Sequence, residues 1–259
     1  MNESKLGFTG SMHYGICHLS LIPIRLQAED YEPMISQLLY GDHFKILEKR
    51  KYWSKIRDAF DKCEGWIRND QFTTVSKEDY YKIRENKTYV SDLLSYISNE
   101  QHQLLPIIIG SSLASTKLLK HHYEGSFTTE KGPKDLFVKT AMYYLHAPYL
   151  FGGKTPFGID ASGLSQMVYK IHGYSLLRKA SEQATQGEAL SFIEESTPGD
   201  LAFFDTKEGE INHVGLIMKD NYIIHSFGSV RIDRLDHTGI FNTTLGKYTH
   251  KLRVIKKIV

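Results

Sequence analysis

The segment Tyr149-Leu-Phe-Gly-Gly-Lys-Thr-Pro-Phe-Gly-Ile-Asp-Ala-Ser-Gly-Leu164 carries more structural information than any other in the chain. A glycine-rich loop runs into Asp160, and from there the periodicity changes. Leu164, Met167, Val168 and Ile171 fall at i, i+3, i+4 and i+7, the apolar stripe of a helix. His172-Gly173 is the expected stop. Asp160 takes the N-cap and Ala161 the first turn. A helix N-terminus carries roughly half a positive charge and free N–H donors. A cysteine there would have its thiolate stabilised, and an oxyanion forming beside it would meet backbone N–H groups. The position suits a cysteine nucleophile, and the residue present is Ala161.

Further along, Asn212-His213-Val214-Gly215-Leu216-Ile217-Met218 and Tyr222-Ile-Ile-His225-Ser-Phe227 read as two strands joined by Lys219-Asp220-Asn221. A three-residue loop sets Met218 opposite Tyr222, Gly215 opposite His225 and His213 opposite Phe227. His213 and His225 then share one face as diagonal neighbours, about 7–8 Å apart at the backbone. Two imidazoles in series can act as a base and its orienting partner, and Gly215 leaves room for the rings. Either histidine alone would read as structural. The twelve histidines invite a metal reading, but a zinc site wants three or four close ligands. Only the His213/His225 pair comes together in the sequence pattern. His121-His122 would face opposite ways on a strand. No metal and no cofactor is expected.

The rest of the chain sets the context. At roughly 100–200 residues per domain, 259 residues suggest two or three domains. With 41% hydrophobic and 24% charged residues the composition is that of a globular protein. Lys plus Arg is 32 against 30 acidic residues, so the basic excess of a nucleic-acid binder is missing. No apolar run approaches the ~18 residues of a membrane span. Cys17 and Cys63 read as separate thiols. Short β-rich runs from Tyr14 to about Thr74 read as a small barrel, and a second strand-rich stretch reaches Phe127. Lys131-Gly-Pro133-Lys134 marks a boundary, after which Asp135 can cap a helix running to Tyr144. Gly10-Ser11-Met12 looks like a cloning scar, so residues 1–11 are expected to be a tag or disordered. The expected domains are 12–75, 76–130 and 131–259. The first residues lack the apolar core of a secretory leader. The chain as written is therefore expected in the cytoplasm, and in the periplasm or outside the cell if a leader has been lost.

Taken together, Tyr149 to Leu164, Pro198-Gly-Asp-Leu-Ala-Phe-Phe204, His213-Val-Gly215 and Ile224-His225 resemble the NlpC family of bacterial cell-wall cysteine peptidases. The resemblance covers about residues 133 to 259. The N-terminal half, through Tyr14 to Arg25 and Glu64-Gly-Trp66, is similar to the SH3-like domains that precede the peptidase in enzymes of the dipeptidyl-peptidase VI kind. The resemblance implies an α+β architecture: a papain-like cysteine peptidase domain behind two small SH3-like β-barrels. It implies hydrolysis of the γ-D-Glu–diamino acid bond in murein peptides with a free N-terminal L-Ala, and a monomer without nucleic-acid or membrane partners.

The resemblance also assigns residues. Ala161 stands at the nucleophile position, His213 at the general base and His225 at the third, orienting position. Asp160 would bind the substrate amine, and Tyr149 would lie near the oxyanion site. Ser181 falls near another amine-site hydroxyl, and Glu32 and Tyr31 are candidates for walling off the amine end. From the residues alone, Asp160 could be only a cap, Tyr149 a core aromatic, Ser181 a helix cap, and Glu32 and Tyr31 ordinary surface. Ala161 is the departure from the pattern, since a methyl group cannot attack a carbonyl. Ser162 is a poor substitute, because it points about 100° away around the helix. An inactive Cys→Ala variant is the favoured explanation, and a naturally inactive muropeptide-binding pseudoenzyme is the alternative.

Overall fold

The structure is a computed structural model that describes residues 13–259. The tag-like segment expected at 1–11 lies outside the described residues. The chain divides into two compact units, one ending at Glu130 and the other running from Lys131 to Val259.

The first unit opens with seven strands: β1 (His13–Cys17), β2 (Leu21–Arg25), β3 (Met34–Leu39), β4 (His43–Lys49), β5 (Trp53–Asp58), β6 (Glu64–Arg68) and β7 (Phe72–Val75). They form one antiparallel sheet in the order β3-β2-β6-β5-β4-β1-β7. Alternate residues of β2 and of the first half of β4 turn inward, which is the period-two pattern of strands with one covered face. Ile22, Ile24, Leu38, Phe44, Ile56 and Ile67 meet there in a closed core. Each fully buried side chain of this size contributes about 1.5–3 kcal/mol. Both tryptophans belong to this sheet. Trp53 and Trp66 are buried, with the guanidinium of Arg68 5.6 Å from the Trp53 ring and that of Arg50 4.1 Å from the Trp66 ring.

Helix α1 (Lys77–Glu85) follows, capped by the Ser76 hydroxyl accepting from the Asp79 N–H. Then come β8 (Tyr89–Val90), β9 (Leu94–Asn99), β10 (Leu104–Ile108), α2 (Thr116–Leu119), β11 (His121–His122) and β12 (Phe127–Thr128). These elements fill the stretch 76–130, where a second small barrel is expected. These strands make a three-stranded sheet, β10-β9-β11, and a pair, β12-β8, with β8 also bonded through Val90 to Gly110 and Ser111 after β10. Three of the five have only two residues, too few to carry a continuous ladder. Their apolar residues Val90, Ile97 and Ile107 pack instead around Tyr40, from the turn after β3.

The second unit begins with α3 (Phe137–Met142), which starts one residue later than an Asp135 cap implies, because a 3-10 turn occupies Lys134–Leu136, and ends two residues before Tyr144. The elements that follow are β13 (Lys154–Thr155), β14 (Gly158–Ile159), α4 (Ala161–Ile171), α5 (Ala180–Gln183), β15 (Glu188–Leu190), β16 (Leu201–Asp205), β17 (Ile211–Ile217), β18 (Tyr222–Phe227), β19 (Ser229–Leu235), β20 (Gly239–Asn242) and β21 (Lys247–Lys257). The main sheet runs β15-β21-β16-β17-β18-β19-β20 and closes where β20 also pairs with β21. Two bulges, at Phe203/Phe204 opposite β21 and at Ile240/Phe241, bend the ladders that this closure requires. Phe204, Ile217, Ile223, Leu235, Ile240 and Ile255 pack together as its core. Leu164, Met167, Val168 and Ile171 are buried as their spacing predicts, and α4 packs against β17 and β18. The α+β expectation thus takes a strand-rich form, with one long helix laid on a closed sheet.

Candidate active site

Asp160 is the N-cap of α4, and its carboxylate organises the loop around it. Oδ1 accepts from the Gly163 N–H at 2.7 Å, and Oδ2 accepts from the Gly152 N–H at 2.8 Å. The buried Arg178 adds a two-pronged contact, Nη1 to Oδ1 at 3.0 Å and Nη2 to Oδ2 at 2.7 Å. Nη1 also reaches the Ser162 hydroxyl at 3.0 Å. The Ser162 hydroxyl donates to Oδ1 as well, at 3.3 Å, so five donors surround this carboxylate. Its place is that of a brace on the loop that carries Ala161.

Two of the loop's glycines are steric requirements. A Cβ on Gly153 would lie 2.4 Å from the Gly158 carbonyl oxygen, and one on Gly163 would lie 2.4 Å from that of Gly153. Loop and helix start thus touch backbone to backbone. Gln183, which the sequence did not single out, ties α5 to the same turn. Its amide donates to the carbonyls of Ser162 and Leu177, both at 2.9 Å.

The β17–β18 hairpin has the expected register, with Gly215 opposite His225. Asp220 and Asn221 supply the left-handed residues of the three-residue loop. His213 Nε2 lies 2.8 Å from His225 Nδ1, and His225 Nε2 lies 3.1 Å from Asp233 Oδ2. Arg231 holds that carboxylate with Nε to Oδ2 at 2.8 Å and Nη2 to Oδ1 at 3.0 Å. The tautomers follow from the network. An ionised Asp233 only accepts, so His225 Nε2 carries its proton. His225 Nδ1 then accepts from His213 Nε2–H, which leaves the His213 Nδ1 lone pair free to act as a base. Burial pushes the Asp233 carboxyl up, but the hydrogen bonds from His225 and Arg231 outweigh it and keep the group charged. Burial above all lowers His213 far below the usual histidine range, with smaller contributions from His250 and His225. Burial lowers His225 as well, against the pull of Asp233.

Several hydrogen bonds bring the two halves of the site together. Ser226, next to His225, donates to the Ile159 carbonyl at 2.8 Å. The Tyr149 N–H donates to the Gly228 carbonyl at 3.0 Å. Ala161 is buried at the head of α4, and α4 lies against the strand of His213. Tyr149 is half-exposed on the loop beside Ile159, its hydroxyl kept protonated by burial and by the Asp160 charge. Ser181 is exposed on α5. Glu32 and Tyr31 lie in the first unit, between β2 and β3, with Tyr31 92% exposed.

Four residues of the site escaped the sequence reading: Arg178, Arg231, Asp233 and His250. Extending the hairpin register one strand further, across Gly228, would have set Arg231 opposite His225 and Asp233 beside it. His250 comes from β21, and no local pattern announces it. Its ring stacks on His213 at 4.0 Å and 23°. The two-histidine count behind the expectation of no metal is thereby corrected to three. The ligand atoms of His213, His225 and His250 all lie within 4.8 Å of one another.

Comparison with known proteins agrees with this picture. Residues 146–249 match the NlpC/P60 family model, and residues 24–72 match the bacterial dipeptidyl-peptidase Sh3 domain. A γ-D-glutamyl-L-lysine dipeptidyl-peptidase of Bacillus cereus is 35% identical over 74% of this chain and 66% of its own length. The Bacillus subtilis protein of that name is 37% identical over 38% of this chain and 33% of its own length. The chain thus spans between a third and two thirds of these two relatives. Dipeptidyl-peptidase 6 of Lysinibacillus sphaericus is 26% identical over 78% of the chain and 84% of its own length. Among solved structures, an NlpC/P60 family protein from Bacillus cereus superposes with a TM-score of 0.76 at 18% identity, covering 95% of this chain and 99% of its own. The second unit is an NlpC/P60 domain, and the chain belongs to that family, with a bacterial dipeptidyl-peptidase SH3 domain ahead of it.

Proposed function

We infer that this chain is the nucleophile-less form of a cysteine peptidase that cuts the γ-D-Glu–diamino acid bond of murein peptides and releases L-Ala-γ-D-Glu. The observation that carries the reading is the Asp233–His225–His213 relay in the unit whose helix begins at Ala161. The names of the relatives support the bond and the substrate class. With cysteine at 161, His213 Nδ1 takes the thiol proton and the sulfur attacks the γ-carbonyl carbon. Backbone N–H groups at the start of α4 face the developing oxyanion. The leaving amine then takes the proton from His213, and a thioester remains. Water, deprotonated by His213, hydrolyses it. Asp160 holds the loop, because Arg178 occupies its carboxylate. Asp160 also stands next to residue 161, and it is the acidic group proposed to meet the substrate ammonium. Ala161 favours a second reading, a pseudoenzyme that binds muropeptides without cutting them.

Mass spectrometry of L-Ala-γ-D-Glu-meso-diaminopimelate, incubated with this chain and with its Ala161→Cys variant, tests both. Release of L-Ala-γ-D-Glu by the variant alone is expected. Binding by both proteins with no release favours the pseudoenzyme. Neither cleavage nor binding overturns the substrate class.

A further inference from the structure

We propose that His213, His225 and His250 form a binding site for one divalent transition-metal ion of the zinc kind. The three ligand atoms lie within 4.8 Å of one another. His213 Nε2 and His225 Nδ1 already face each other at 2.8 Å. Two Zn–N bonds of about 2.0–2.1 Å at a tetrahedral angle place their nitrogens roughly 3.3 Å apart, so a small opening of that pair admits the ion. The outer support is also in place. His225 donates its other nitrogen to Asp233, which Arg231 grips with two hydrogen bonds, and such a carboxylate fixes a metal-bound imidazole. His250 has Nδ1 on the Thr249 hydroxyl at 2.8 Å, which leaves Nε2 to bind. Its stacked ring must turn about Cβ–Cγ to aim that atom, giving up the Thr249 hydrogen bond and the stack on His213 as it does. His250 also lines an open cavity of about 460 Å³ with Asp205, Asn212 and Tyr248.

Proton bookkeeping gives the site a consequence. His213 stays neutral when its Nε2 binds the metal, so its proton moves to Nδ1. The nitrogen that would take the thiol proton is then capped. One ion would thus silence the base without touching residue 161, and metal binding itself does not depend on the peptidase reading.

The test uses the chain as it stands, whose alanine at 161 removes any thiolate that could bind metal there. Co²⁺ is titrated and the ligand-field absorption of a tetrahedral site is followed, with Zn²⁺ displacing it. One equivalent is expected. His250→Phe, which keeps the stack on His213, should weaken binding at least tenfold, and Asp233→Asn on the order of ten- to a hundredfold. Circular dichroism confirms that each variant is folded. No tetrahedral absorption in the parent chain overturns the proposal. So does absorption that persists unchanged in His250→Phe, which would leave only a two-histidine adventitious site.

Discussion

Arg178 illustrates how much a single side chain can decide here. Its partner Asp160 is 7% exposed, so removing the guanidinium strands a buried charge beside the helix start. Arg178→Leu is expected to cost about 3–5 kcal/mol, read as lost amide-exchange protection over residues 150–170. Arg178→Lys restores the charge but cannot reach both carboxylate oxygens and the Ser162 hydroxyl, and should recover only part of the protection. Asp233 governs chemistry where Arg178 governs shape. In the Ala161→Cys form, Asp233→Asn should lower kcat by at least about 10² while KM stays near its parent value, because His225 loses the acceptor that sets its tautomer. His172, away from the site, gives a pH prediction. It is buried against Phe137 and bonded to Thr140, and burial lowers its pKa. The unfolded chain therefore binds more protons at this residue below about pH 6.5, and stability falls as the pH drops through that value. Denaturation at pH 7.5 and 5.5 should show a fall that is smaller in His172→Asn than in the parent, by up to about 1 kcal/mol.

The loop before α4 is the element on which the site rests, and its glycines can be tested directly. Gly153→Ala sets a methyl 2.4 Å from one backbone oxygen and 2.8 Å from its carbon, where nothing flexible can yield. It should destabilise the second unit by more than about 2 kcal/mol, seen as a lower urea midpoint by circular dichroism. Local grammar made much of this region legible beforehand. The apolar stripe of α4, its Asp160 cap and its His172-Gly173 stop all follow from neighbours in sequence. So does the β17–β18 register, which the loop length sets. What stayed hidden depends on distant pairings. Asp233 needed one more strand of register, and His250 arrives from β21 only because the closed sheet brings that strand alongside β16. Arg178 sits in a stretch without periodicity, and only the fold brings it to Asp160.

Across the chain, the two units keep separate cores, one built around Phe44 and Ile56 and the other around Phe204 and Ile223. Residues 131–259 expressed alone are therefore expected to fold, with a single cooperative melt by circular dichroism; a non-cooperative trace would count against an independent core. The change of domain character near Lys131 was legible because Gly-Pro breaks both kinds of regular structure. The form taken by residues 76–130 was not, since two-residue strands leave no alternation to read. The placement of Trp53 and Trp66, both inside the first sheet, has a practical result. Tryptophan emission reports on one unit alone and is blind to the other. Excited at the red edge, where tyrosine does not absorb, the intact protein would reveal the melting of its N-terminal sheet in isolation. An event confined to the histidine cluster would pass without a change in colour.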